Sequence, residues 1–167
     1  FTQTVVLEQG GTGWQKIQSI FSAVRAWGAS VPIAYAAQAT LFAALAATLA
    51  WLWHSDAAFE LKAAALALGS LLATPYVLDY DLVVLAVAIA FFARHGLRCG
   101  FHDFEISLLA AAWIVPLLSR SIAGATFIPL GLLVELAFYA LVLRRAALDR
   151  ASHAVGALFR TRHRGNG

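Results

Sequence analysis

KAAALALGSLLATPYVLDYDLVVLAVAIAFFA, residues 62–93, decides how this chain folds. Read as one helix, the stretch would run about 48 Å at 1.5 Å per residue, against a hydrocarbon core of about 30 Å. Its middle would hold Pro75, Asp79 and Asp81. Pro75 brings no N–H to a helix and pushes Thr74 toward extended backbone. Two carboxylates at mid-membrane would cost about 2.5–3.5 kcal/mol each. Two short helices, about 60–74 and 79–94, avoid both costs by meeting at a polar corner, T-P-Y-V-L-D-Y-D (74–81). Asp79 then stands at an N-cap or first-turn position, where a carboxylate favours the helix dipole. Asp81 stays open between capping and orienting a ligand.

The composition around this stretch fits a membrane. Of 167 residues, 61% are apolar and 13% charged; soluble domains carry about 25% charge. Mean hydropathy is +0.76. An ordinary soluble domain, a disordered chain and a coiled coil are excluded, and an all-α polytopic transmembrane bundle of about five spans is expected. The clearest span is 32–53, uncharged throughout, with Tyr35 near one end and Trp51 and Trp53 at the other. After the split pair come 106–118 and 122–143, the latter interrupted only by Glu135. Ser119-Arg120-Ser121 reads as a tight corner between them. An ionisable residue inside a span, such as Glu135, is a functional candidate.

Residues 1–31 read as an extracytoplasmic loop and an interfacial helix, 32–143 as the transmembrane domain, and 144–167 as a basic cytoplasmic tail. From Trp14 to Trp27, apolar residues recur at helical spacing, with Gln15, Gln18, Ser19 and Ser22 opposite and Lys16 and Arg25 at the edges. With five spans, Lys16, Arg25 and Arg120 lie on one side and the nine other basic residues on the other, which should be cytoplasmic. The basic balance is thus an orientation signal rather than a sign of nucleic-acid binding, and the tail should bind anionic lipid. The histidines have no metal-ligand spacing, and no metal or other cofactor is expected. On the outer side gather Lys16, Arg25, Asp79, Asp81 and Arg120, beside aromatic residues. Cations suit a phosphate, and carboxylates with aromatics suit a sugar.

Three segments carry a resemblance: W-Q-K-I-Q-S-I-F-S-A-V-R (14–25), L-L-A-T-P-Y-V-L-D-Y-D-L (71–82) and V-P-L-L-S-R-S-I-A-G-A-T (115–126). In order and spacing, over about 5–145, they resemble bacterial members of glycosyltransferase family 87. These are GT-C transferases related to polyprenyl-phosphate-mannose-dependent α-mannosyltransferases. The resemblance implies a GT-C-like C-terminal half in the bacterial inner membrane. It also implies transfer of a hexose, mannose being the expected sugar, from a polyprenyl-phosphate donor at the outer face. Lys16, Arg25 and Arg120 are then the candidates for the donor phosphate, and Asp79 and Asp81 for the sugar. The usual GT-C catalytic aspartate, in the first extracytoplasmic loop, has no counterpart here. The base is therefore expected upstream, and the chain is expected to be part of a longer enzyme and inactive alone. The competing class is a non-catalytic scaffold or transporter subunit. A transporter should carry a second broken helix in a related repeat, and the sequence shows none.

Overall fold

The computed structural model describes residues 17–126 and 128–164, with backbone alone at 79, 80, 120 and 153–164. The regular structure among the described residues is helical apart from one isolated bridge, Ile17 to Leu78. In order they form α1 (Ile20–Ala26), α2 (Val31–Trp53), α3 (Phe59–Ala73), a 3-10 helix (Asp79–Val84), α4 (Leu85–Cys99), α5 (Glu105–Thr126) and α6 (Leu130–Arg164).

The 62–93 stretch breaks where proline requires it. α3 ends at Ala73, and Thr74 is extended at ψ 136°. The chain re-enters helix through a 3-10 turn at Asp79. α3 is the centre of the bundle and packs against α2, α4 and α6. Leu61, Ala64, Ala65, Leu68, Leu71 and Leu72 on it are buried. Its small residues permit close approach: a Cβ added at Gly69 would stand 3.0 Å from Leu49 on α2. Gln38, buried on α2, donates to the carbonyls of Leu72 (3.0 Å) and Ala73 (3.1 Å), which α3 itself leaves unpaired at its end.

α2 and the segment Asp81–Cys99 are long and apolar enough to cross a membrane. Their surroundings agree with that use. α2 exposes Ile33, Phe42, Trp51 and Trp53, and α5 exposes Ile106, Trp113, Ile114, Leu117 and Leu118. Apolar surface this extensive is rare on a monomer in water.

Three expectations need correction. Residues 119–121 form no corner: α5 passes through them and through Pro116 to Thr126. Ser-Arg-Ser contains no helix breaker, and the chain turns instead just before Pro129, with Thr126 accepting the Ile128 N–H. The part of 14–27 that is described is not one amphipathic helix. Ile17 is in extended pairing, α1 is only seven residues long, and the expected solvent face of Gln18, Ser19 and Ser22 is buried. Finally, α6 does not end at residue 143. It continues as helix to Arg164, because Arg, Ala and Leu are good helix formers and charge alone does not stop a helix. The side chain of Arg145 turns into the protein.

Candidate functional site

The bundle has two polar ends. At the first, residues 17–22 seal the corner after α3. Pro75 and the residues after it leave backbone carbonyls that no helix satisfies. The extended 17–19 segment supplies donors: Gln18 N–H to Val77 O at 2.7 Å and Ser19 Oγ to Pro75 O at 2.7 Å. Ser19 and Ser22 then cap α1 reciprocally. The Gln18 side chain lies against the first turn of α6, where a Cβ added at Gly131 would stand 2.8 Å from Oε1. The turn before α6 therefore belongs to the same end. Gly131→Ala should cost about 1–3 kcal/mol by overpacking, less about 1 kcal/mol of helix-propensity gain. It should also speed hydrogen exchange at the Gln18 amide; unchanged exchange would show that the side chain swings aside harmlessly.

The five expected site residues fare differently here. Lys16 lies outside the described residues. The backbone brings Asp79 and Asp81 to the corner end beside the segment leading into α1. Asp81 is the cap: its Oδ2 accepts the Leu78 N–H at 2.9 Å. Asp81 thus reaches back three residues to the start of the 3-10 helix, and the side chain of Asp79, expected to cap, lies outside those described. Arg25, half-buried in the last turn of α1, donates from Nη1 to Ala29 O at 2.6 Å. Arg120 is on α5, six residues before its end, or about 9 Å along the axis.

The other end holds a network that the sequence reading missed. Arg145 and Glu105 are each 2% exposed. Arg145 Nη1 donates to both Glu105 oxygens (3.1 and 2.9 Å), Nε to Asp149 Oδ1 (3.1 Å), and Nη2 to Gly100 O (3.1 Å). Asp149 Oδ2 accepts from His95 Nε2 at 2.9 Å, and Glu105 Oε2 accepts the His102 N–H at 2.8 Å. One guanidinium thus joins α6 to the α4–α5 connection, which turns at Gly100 with φ +83°. A cleft of about 670 Å³ opens beside it, lined by Glu60, His95, Arg98, His102, Arg145 and Asp149 among others. Glu60 accepts from Arg98 at 2.8 Å, with Arg94 at 3.5 Å. Acids and cations answer one another around this cleft, which makes it a clamp rather than an anion site. The only sequence hint was the i,i+4 spacing of Arg145 and Asp149.

Comparison with known proteins returns nothing: no family model, curated protein or solved structure matches the chain.

Proposed function

We propose that this chain is the membrane-embedded C-terminal part of a glycosyltransferase that moves a hexose, mannose in the first instance, from a polyprenyl-phosphate donor. The reading places five spans in a bacterial inner membrane: α2, residues 61–73, residues 81–99, α5, and the first half of α6. The corner end faces outward and the clamp end faces the cytoplasm. One observation supports it above the others. Two of the segments that carry the family resemblance are joined in space, Ile17 pairing with Leu78 and Ser19 bonding Pro75. The third ends at the turn whose far side touches Gln18. Two of the three segments thus meet at one end of the bundle, and the third finishes beside them. The lipid phosphate would leave with its charge met by cations at that end.

The test is transfer itself. Full-length protein in proteoliposomes should move mannose from polyprenyl-phosphate-mannose, and not from a nucleotide sugar. Absence of transfer from any polyprenyl-phosphate hexose would overturn the reading. Topology gives a second check. Tyr76, 36% exposed at the corner, is a better probe than its buried neighbour Val77. In a Cys99→Ser background, Tyr76→Cys should react with an impermeant thiol reagent from outside, and His54→Cys only after permeabilisation. The opposite pattern would invert the orientation and remove the donor site from the outer face.

A further inference from the structure

The cleft beside the clamp carries charge that its own ion pairs do not use up. Three acids line it, Asp56, Glu60 and Asp149, with three arginines, Arg98, Arg145 and Arg150. Arg145 is bonded to Asp149 and Glu105, and Arg98 to Glu60. The two histidines at the cleft face carboxylates of the clamp, His95 with Asp149 at 2.9 Å and His102 with Glu105 at 3.9 Å. One acid and one cation are left over. Asp56, in the α2–α3 connection, and Arg150, on α6, are both exposed, and neither has an ion-pair partner among the described residues. Lys62, the lysine or arginine nearest Asp56 in sequence, donates instead to the Ser55 carbonyl at 2.8 Å.

The rim of this cleft stands at headgroup depth. α2 is long and apolar enough to cross a membrane, and its last turn exposes Trp51 and Trp53. Tryptophan collects where hydrocarbon gives way to headgroups. The Arg150 guanidinium lies over the Trp51 ring, 5.1 Å from its centroid. That contact holds a cation of the cleft at the level of the tryptophan. Asp56 comes three residues after the end of α2 and so belongs to the same surface. The cleft volume, about 670 Å³, is that of a small-ligand site, for which about 300–1,000 Å³ is usual.

We propose that the cleft binds the phosphoethanolamine headgroup of an aminophospholipid, with its phosphate on Arg150 and its ammonium on Asp56. A guanidinium gives a phosphate two parallel hydrogen bonds, and a carboxylate accepts from an ammonium. A phosphoglycerol headgroup has the same anion but leaves Asp56 without a cation. A phosphocholine has a cation with no N–H to donate. Only the phosphoethanolamine answers both unspent charges, and the bilayer delivers it at the level where Arg150 is held. The inference rests on the membrane placement of this end and not on glycosyl transfer. It applies to whichever leaflet the end faces, so its failure and that of the transfer reading are separate results.

Native mass spectrometry of the full-length protein tests it, with the protein released from micelles that contain phosphatidylethanolamine, phosphatidylglycerol and phosphatidylcholine in equal amounts and of distinguishable mass. The wild type should retain phosphatidylethanolamine above the other two. Asp56→Asn should lower that retention about tenfold, the scale of one charge-assisted hydrogen bond, and leave phosphatidylglycerol undiminished. Arg150→Gln should lower the retention of both phosphatidylethanolamine and phosphatidylglycerol. Both residues are exposed and outside the ion pairs, so neither change should disturb folding. Equal retention of the three lipids by the wild type, or undiminished phosphatidylethanolamine on Asp56→Asn, would overturn the site. Phosphatidylglycerol retained in excess would reduce it to a basic surface. Free O-phosphoethanolamine in excess should not displace the lipid, because it lacks the acyl chains that hold the headgroup at the membrane. Displacement would make the ligand a soluble zwitterion and overturn the lipid assignment.

Discussion

Arg145→Ala is expected to lower the stability of the folded bundle by about 3–5 kcal/mol. The guanidinium is buried with Glu105 and makes all its contacts across the α4–α5 connection and along α6. Removing it leaves the Glu105 carboxylate, 2% exposed, with the His102 N–H but no cation bonded to it, and Asp149 with His95 alone. The loss therefore comes less from the missing attraction than from an uncompensated buried charge. Two further variants separate these effects. Arg145→Lys keeps the charge but not the planar fork that reaches Glu105, Asp149 and Gly100 together, so it should fall between wild type and alanine. Adding Glu105→Gln to Arg145→Ala removes the stranded charge and should recover part of the loss. Reversible unfolding in mixed micelles measures all three. A loss below about 1 kcal/mol for Arg145→Ala, the range of exposed ion pairs, would mean that water reaches the clamp.

The same residue shows what the sequence could and could not reveal. Arg145 follows an apolar run and precedes a basic tail, so counting charge assigns it to the tail. Only the fold shows that α6 continues past residue 143 and carries Arg145 back to Glu105, forty positions away. Local features were more legible. The break after Ala73 follows from Pro75 and from the length of the apolar stretch, and both act within a few residues. The corner expected at Ser119-Arg120-Ser121 does not form because polarity by itself is no turn signal, whereas the backbone responds to Pro129. The polar side of 17–22 failed for a related reason. Amphipathic spacing says that one face differs from the other, not that the polar face meets water. Here it meets unpaired backbone carbonyls at the corner, a demand that arises only once α3 has ended. Of the expected site residues, Arg25 and Asp81 have described side chains, and each bonds a backbone group close by in sequence. The bond from Asp81 back to the Leu78 N–H was not legible, because the sequence left Asp81 open between capping and binding.

Arg120 carries the second large effect, and its place on α5 changes what it must do. A corner residue would sit at headgroup level. Six residues inside the end of α5, the backbone lies about 9 Å deeper. Both arginine and lysine are long enough to bring charge from that depth toward the surface. They differ in what they offer on arrival: arginine has a rigid fork that binds a phosphate through two hydrogen bonds, lysine a point charge. If the protein is the proposed transferase and Arg120 holds the departing lipid phosphate, Arg120→Lys in the full-length protein should cost about 2–3 kcal/mol of transition-state binding. That would be a roughly thirty- to more than hundredfold lower kcat/KM, at about 1.36 kcal/mol per decade. Expression and membrane insertion should be unchanged, since lysine matches arginine in charge and in helix propensity. Arg120→Gln should lose at least as much activity, having no charge. Near-wild-type transfer by both variants would make Arg120 an interface anchor and leave the donor phosphate to Lys16 and Arg25.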